Sequence, residues 1–173
     1  MQIKTLWEIA LMTTAPESLT VEPTAPVDLM ESIKIVEEIE AVISSLDYDK
    51  TAMVSHGEHG HLWKFNYGSV EVMVQITGET DDDTFTAWAV VFDFGSAALD
   101  TPSSKHAKLM HKVLMMNWTH TLDAKFAIAG EQLIITTTRP IAEISPGEIS
   151  RGITLVATIA DDHDEAFQAE YGG

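Results

Sequence analysis

"HLWKFNYGSVEVMVQIT", residues 61–77, reads as two strands around a turn at Gly68. Apolar and polar residues alternate on either side of the glycine, the period of a strand with two unlike faces. A two-residue loop at Tyr67–Gly68 sets Phe65 opposite Val70, Trp63 opposite Val72 and His61 opposite Val74. On the other face Lys64 meets Glu71 and Leu62 meets Met73. Aromatic–β-branched pairs and an opposite-charge pair are what cross-strand packing favours.

The next strand extends this sheet. "TFTAWAVVFDF", residues 84–94, returns after the polar loop "GETDDD". With Thr77 opposite Thr84, Phe85, Ala87, Ala89 and Val91 join the Val70, Val72 and Val74 face. Trp88, Val90 and Phe92 join Leu62 and Met73 on the reverse. Both faces are apolar. Helices cover one of them. The other, with Leu62, Met73, Trp88, Val90 and Phe92, is a candidate partner-binding surface, because a large exposed apolar patch marks interaction.

Helical patterns surround the sheet. "DLMESIKIVEEIEAVISSL", residues 28–46, has Asp28 and Glu31 at capping-box spacing and Ile35, Ile39, Val42 and Leu46 on one face. "SSKHAKLMHKVLMMNW", residues 103–118, is apolar almost all round: Leu109, Val113 and Met116 on one line, Met110, Leu114 and Trp118 on another. Flexible thioethers serve cores and adaptable binding surfaces alike, so Met110 and Met115 join the candidate partner-binding residues, as a possible dimer seam. "DAKFAIAGEQLIITTTRP", residues 123–140, is a second hairpin around Gly130, pairing Phe126 with Ile135 and Ile128 with Leu133. In the last segment Ser145, Pro146 and Glu148 signal a helix start, followed by a stripe of Ile149, Ile153, Val156, Ala160, His163 and Phe167. The expected class is α+β, an antiparallel sheet with helices packed on it, in the order α-β-β-β-α-β-β-α. Residues 1–27, rich in Pro and Thr from residue 13, read as a flexible leader and 28–173 as the domain; Met12 is an alternative start that would make residues 1–11 optional.

That order, with the words "HLWKFNYGSVEVMVQI", "KLMHKVLMMNW" and "TLDAKFAIAGEQLIITTTRPIAEISPGEISRGITLVATIADDHDEAFQAEYG", resembles the YbjN family and its relatives of the type III secretion chaperone-like fold. An Asn ending the Met-rich helix before a short hairpin and an S/T-P-x-E start to the last helix carry the likeness, over about residues 28–171. The resemblance implies that fold, sensory regulation, and protein binding by small acidic dimers. It implies no catalytic residue. The long leader and the Trp88-centred patch depart from those chaperones.

Composition bounds the chemistry. The chain has 173 residues, 45% hydrophobic, no cysteine and a formal net charge of −17. Such charge repels nucleic-acid backbones and anionic lipid. Absent cysteine removes disulfides and thiolate chemistry and fits the cytoplasm. No apolar run is long enough to span a membrane. No G-x-S-x-G, P-loop or dinucleotide fingerprint occurs, so no enzyme and no cofactor are expected. In "HGEHGH", residues 56–61, His59 and His61 have the spacing of ligands on a strand, and His56 or Glu58 could complete a site. His61 falls on the apolar face and no Cys completes the set, so the segment reads as the approach to a strand, without metal. A small-ligand or metal sensor using the sheet cavity and His56, His59 and His61 is the alternative function. "GETDDDT" lacks the alternating oxygens of a calcium loop and reads as a hairpin tip. In "DDHDEAFQAE", His163 faces inward, and Asp161, Asp162 and Glu165 face solvent. The expected function is a non-enzymatic protein-binding or chaperone-like regulatory domain, acidic and homodimeric.

Overall fold

The computed structural model describes residues 27–47, 52–57, 60–78, 80–95, 103–142 and 144–172. The elements in chain order are α1 (Val27–Leu46), β1 (Met53–Gly57), β2 (Gly60–Tyr67), β3 (Val70–Ile76), β4 (Thr84–Asp93), α2 (Ser104–Thr119), β5 (Lys125–Ala129), β6 (Gln132–Pro140) and α3 (Pro146–Tyr171). Six strands form one antiparallel sheet in the order β1-β2-β3-β4-β6-β5. The expected α+β order holds, with β1 added at one edge. Its segment is rich in Gly and His, which hides the strand, yet it pairs with β2 through His56↔His61 and Gly57↔Gly60.

The first hairpin corrects the expected register. Its loop is Gly68–Ser69, so Phe65 lies opposite Val72, Trp63 opposite Val74 and His61 opposite Ile76. Gly68 has φ 55°. A hairpin loop of this kind needs the left-handed conformation at its first residue, and a Tyr67–Gly68 loop would have put tyrosine there. The shift is two residues, so every side chain stays on its expected face. Lys64 now stands opposite Met73, yet its Nζ still reaches Glu71 Oε2 diagonally at 2.6 Å. The β3–β4 register is as read, with Ile76 opposite Phe85 and the Thr77 N–H donating to the Thr84 carbonyl at 3.1 Å. The second hairpin is also as read, Phe126 opposite Ile135 and Ile128 opposite Leu133.

The core lies between the sheet and the helices. Trp63, Phe65, Val72, Val74, Phe85, Ala87, Ala89 and Ile135 are buried from the sheet, and Ile39, Ile43, Leu109, Val113, Ile149, Ile153, Val156 and Phe167 from the helices. All three helices stand on this one face. From α1, Glu40 Oε1 accepts from Trp63 Nε1 at 3.4 Å. The long α3 crosses at Gly152, where an added Cβ would sit 3.2 Å from Thr137 and 3.3 Å from Phe85. Against α3 lies α2, with Lys112 Nζ 5.2 Å from the Phe167 ring centroid. The start of α3 is as expected: Pro146 opens it, and Ser145 and Glu148 form a reciprocal capping box. Asp28 and Glu31 lie outside the described side chains.

Candidate interaction surfaces

With the helices on one face, the reverse of the sheet stays uncovered by them. There Trp88 is flanked by Met73 of β3 and Thr136 of β6, and Val90 by Ile134. Met73, Trp88 and Val90 are half-buried and Leu62 is 36% exposed. Four of the five residues expected on this face are therefore on it. Phe92 is not. The β4–β6 register shifts between Val90 and Phe92, and such a bulge rotates the following side chain. Val91 and Phe92 are both buried as a result. Phe92 packs edge-on against Phe94 and His106, with centroids 5.2 and 5.9 Å away.

The more exposed apolar surface belongs to α2. Leu109 and Val113 are buried, and Met110 and Met116 pack partly against the core. Leu114, Met115 and Trp118 turn outward, 68%, 55% and 87% exposed. Leu122 in the following turn and Ile128 on β5 are exposed too. Of the Met pair singled out from sequence, Met115 is on this surface and Met110 lies beneath it.

Asn117 fixes the geometry of this ridge. Its Nδ2 donates to the Phe126 carbonyl at 3.1 Å, and the Phe126 N–H donates to its Oδ1 at 2.7 Å. The side-chain amide thus takes the place of a neighbouring strand beside the edge strand β5, a device that blunts an exposed edge. It also pins the last turn of α2, so the adjacent Trp118 projects from a fixed backbone.

Charge separates this helix from the rest of the molecule. Between Asp100 and Asp123 there is no Asp or Glu, while Lys105, Lys108 and Lys112 supply three of the chain's ten Lys and Arg. In a chain of net charge −17 this is a surface without carboxylates of its own, a signal present in the sequence and hidden there by the apolar pattern. Lys112 reaches Glu170 of α3 at 3.1 Å. That contact is exposed and contributes little.

Other titratable clusters have structural partners. Asp161, expected to face solvent, instead accepts from the Ser69 N–H at 2.8 Å and the Ser69 hydroxyl at 3.0 Å, and Asp164 accepts from the same hydroxyl at 2.8 Å. The pair latches α3 to the β2–β3 turn. His163 stacks on Phe167, centroids 5.3 Å apart, and burial holds its imidazole below the ordinary histidine range, helped by the positive charge of Lys112 and His120. At the hairpin tip Asp83 is acidified: burial opposes this, but hydrogen bonds from Thr80 and Thr77 outweigh it. Arg139 and Arg151, the chain's two arginines, both face Asp123, at 3.6 and 3.4 Å. Of the histidine-rich segment, the side chains of His56, Glu58 and His59 lie outside the described residues, and His61 stacks on Trp63 at 5.6 Å. Among the described residues no three His, Asp or Glu side chains group as metal ligands.

No curated protein matches the chain. A family model matches residues 36–169, that of YbjN, described as "Putative bacterial sensory transduction regulator". That description is of a regulator and names no reaction. The match runs from Val36 in α1 to Ala169 in α3 and takes in the whole sheet, both apolar surfaces and the Asn117 bridge. The chain belongs to the YbjN family.

Proposed function

We propose that this chain is a non-enzymatic regulatory domain that acts by binding protein: a second copy of itself across α2, and a protein segment on the open sheet face. We place it in the cytoplasm, a reading the cysteine-free sequence supports. No helix among the described residues is long and apolar enough to cross a membrane.

The observation that carries the proposal is the α2 ridge. Leu114, Met115 and Trp118 stand together in solvent on a helix whose other side is core. Exposed Trp and Met on a rigid element are typical of binding hot spots. Self-association follows from charge. Two copies of a chain of net charge −17 repel each other over most of their surface. That repulsion is weakest where neither copy carries a carboxylate, and α2 is such a surface. The sheet face, with Leu62, Met73, Trp88 and Val90, is the second binding surface in this reading. Phe92 is excluded from it by the bulge.

Sedimentation of the wild type and of Leu114→Glu and Trp118→Ser tests the seam. The wild type sediments as a dimer at micromolar concentration. Each variant shifts to monomer with its melting temperature changed by no more than a few degrees, because both side chains are outside the core. A monomeric wild type, or variants that stay dimeric, removes α2 as the seam.

A further inference from the structure

The chain has two arginines, and both reach one cleft where three parts of the fold meet. Arg139 comes from β6, Arg151 from the second turn of α3, and Asp123 from the turn between α2 and β5. Phe85 and Thr137 of the sheet and Gly152 of α3 also line it. The two guanidiniums are under-used. Asp123 takes one at each oxygen, with Arg139 Nη2 3.6 Å from Oδ1 and Arg151 Nε 3.4 Å from Oδ2. A charge-assisted bond of this kind is about 2.7–2.9 Å long, and among the described residues neither arginine donates a hydrogen bond. All three side chains are about half exposed, and ion pairs so placed contribute little. Stability alone therefore does not account for both arginines standing here. Glu148 lines the cleft too, but its Oε2 accepts from the Ser145 N–H and hydroxyl, each at 2.9 Å. Leu122, just before Asp123, has φ 52°, uncommon for a residue with a Cβ. Such backbone gathers where ligands are clamped.

We propose that this cleft binds a small carboxylate, held by the N–H groups of Arg139 and Arg151 that Asp123 leaves unused. Arginine suits the task better than lysine, because its planar fork matches a carboxylate through paired bonds and an ammonium is a point charge. Asp123 indicates the class: the group that the pair already flanks is a carboxylate with one guanidinium at each oxygen. A single negative charge is also the form that a body of net charge −17 repels least. The Phe85 ring and the Thr137 methyl, both against Gly152, suit a short hydrocarbon body. Bound there, the ligand bridges β6 and α3 beside the turn that ends α2. The site is separate from both protein-binding surfaces and does not depend on them.

With only two arginines the test is direct. The isotope-labelled full chain gives one Nε–H signal for each, assigned by Arg139→Lys and Arg151→Lys, and the backbone N–H signals of Asp123 and Gly152 are followed with them. Butyrate, its neutral counterpart butyramide, and inorganic phosphate are titrated separately at constant ionic strength, kept with sodium chloride. Butyrate moves these signals saturably and butyramide does not. Arg139→Gln and Arg151→Gln each weaken butyrate binding about tenfold or more, the effect of losing a charged hydrogen-bond partner. Lys64→Gln, on the reverse of the sheet, leaves it unchanged. Melting temperatures show that the variants fold. Shifts that follow ionic strength alone would make the cluster a surface ion pair and overturn the proposal. Saturable binding that survives both glutamine variants would place the carboxylate elsewhere and overturn it as well. Phosphate binding tighter than butyrate overturns the carboxylate class, and a cleft that responds to none of the three ends the proposal.

Discussion

At Gly68 one residue carries both a backbone and a packing constraint. Its φ of 55° is a conformation that costs an L-residue about 1–2 kcal/mol. A Cβ there would also overlap the Asp161 carboxylate that holds Ser69. Gly68→Ala should therefore lower stability by about 2 kcal/mol or more, as strain and latch are lost together. Urea denaturation reads this as a lower midpoint with an unchanged slope. A loss of only a few tenths would mean that the Asp161–Ser69 latch gives way freely. The sequence places a turn here but not its position by one residue, because Tyr67–Gly68 and Gly68–Ser69 give identical faces. Only the left-handed backbone at the loop's first residue decides between them. Asn117 was legible as a family feature; its two bonds to Phe126 were not, because they depend on how the end of α2 approaches β5.

The elements were readable to the extent that periodicity marks them. Both faces of β2, β3 and β4 follow from alternation, and α3 from its cap and stripe. The bulge in β4 escaped because "VVF" offers no polar residue to show which side chain changes face. For α3 the cap is testable: Ser145→Ala removes the oxygen that accepts the Glu148 N–H at 3.3 Å and should cost ~1 kcal/mol. No shift in the denaturation midpoint would mean that the helix starts without its box. Further along, His163 meets the Phe126 ring of β5 and stacks on Phe167 one turn on in its own helix. Burial lowers its folded pKa, and Lys112 of α2 and His120 lower it further, while Asp162 on its own helix opposes them. Because the folded value lies below the unfolded value of about 6.5, this stabilisation is complete above that pH and is lost as the pH falls through the folded value. Melting at pH 7.5 and pH 5 should show a larger loss for the wild type than for His163→Leu. Equal losses in both would show that His163 is not a linked group.

On the scale of the whole molecule, the distribution of charge sets how copies meet. Mean composition says only that the chain is acidic. The structure adds that most of the carboxylate-free stretch is the helix α2, which exposes Leu114, Met115 and Trp118 and whose last turn Asn117 bonds to Phe126 of β5. If two copies join α2 to α2, no opposite charges meet across the seam and the acidic bodies on either side still repel. Salt then strengthens the dimer, since raising ionic strength from about 0.01 M to about 0.15 M shortens the Debye length from about 30 Å to about 8 Å and screens the repulsion. Sedimentation equilibrium across that range should give a dissociation constant that falls as salt rises. If α2 of one copy instead docked on the carboxylates of α1 or α3 of another, Lys105 and Lys108 would form attractive pairs and salt would weaken association. A dissociation constant that rises with salt therefore counts against the α2–α2 seam, even if Trp118→Ser still breaks the dimer. It would point to head-to-tail contacts, which close into rings or run on as filaments, and the size of the assembly at low salt would then distinguish those two.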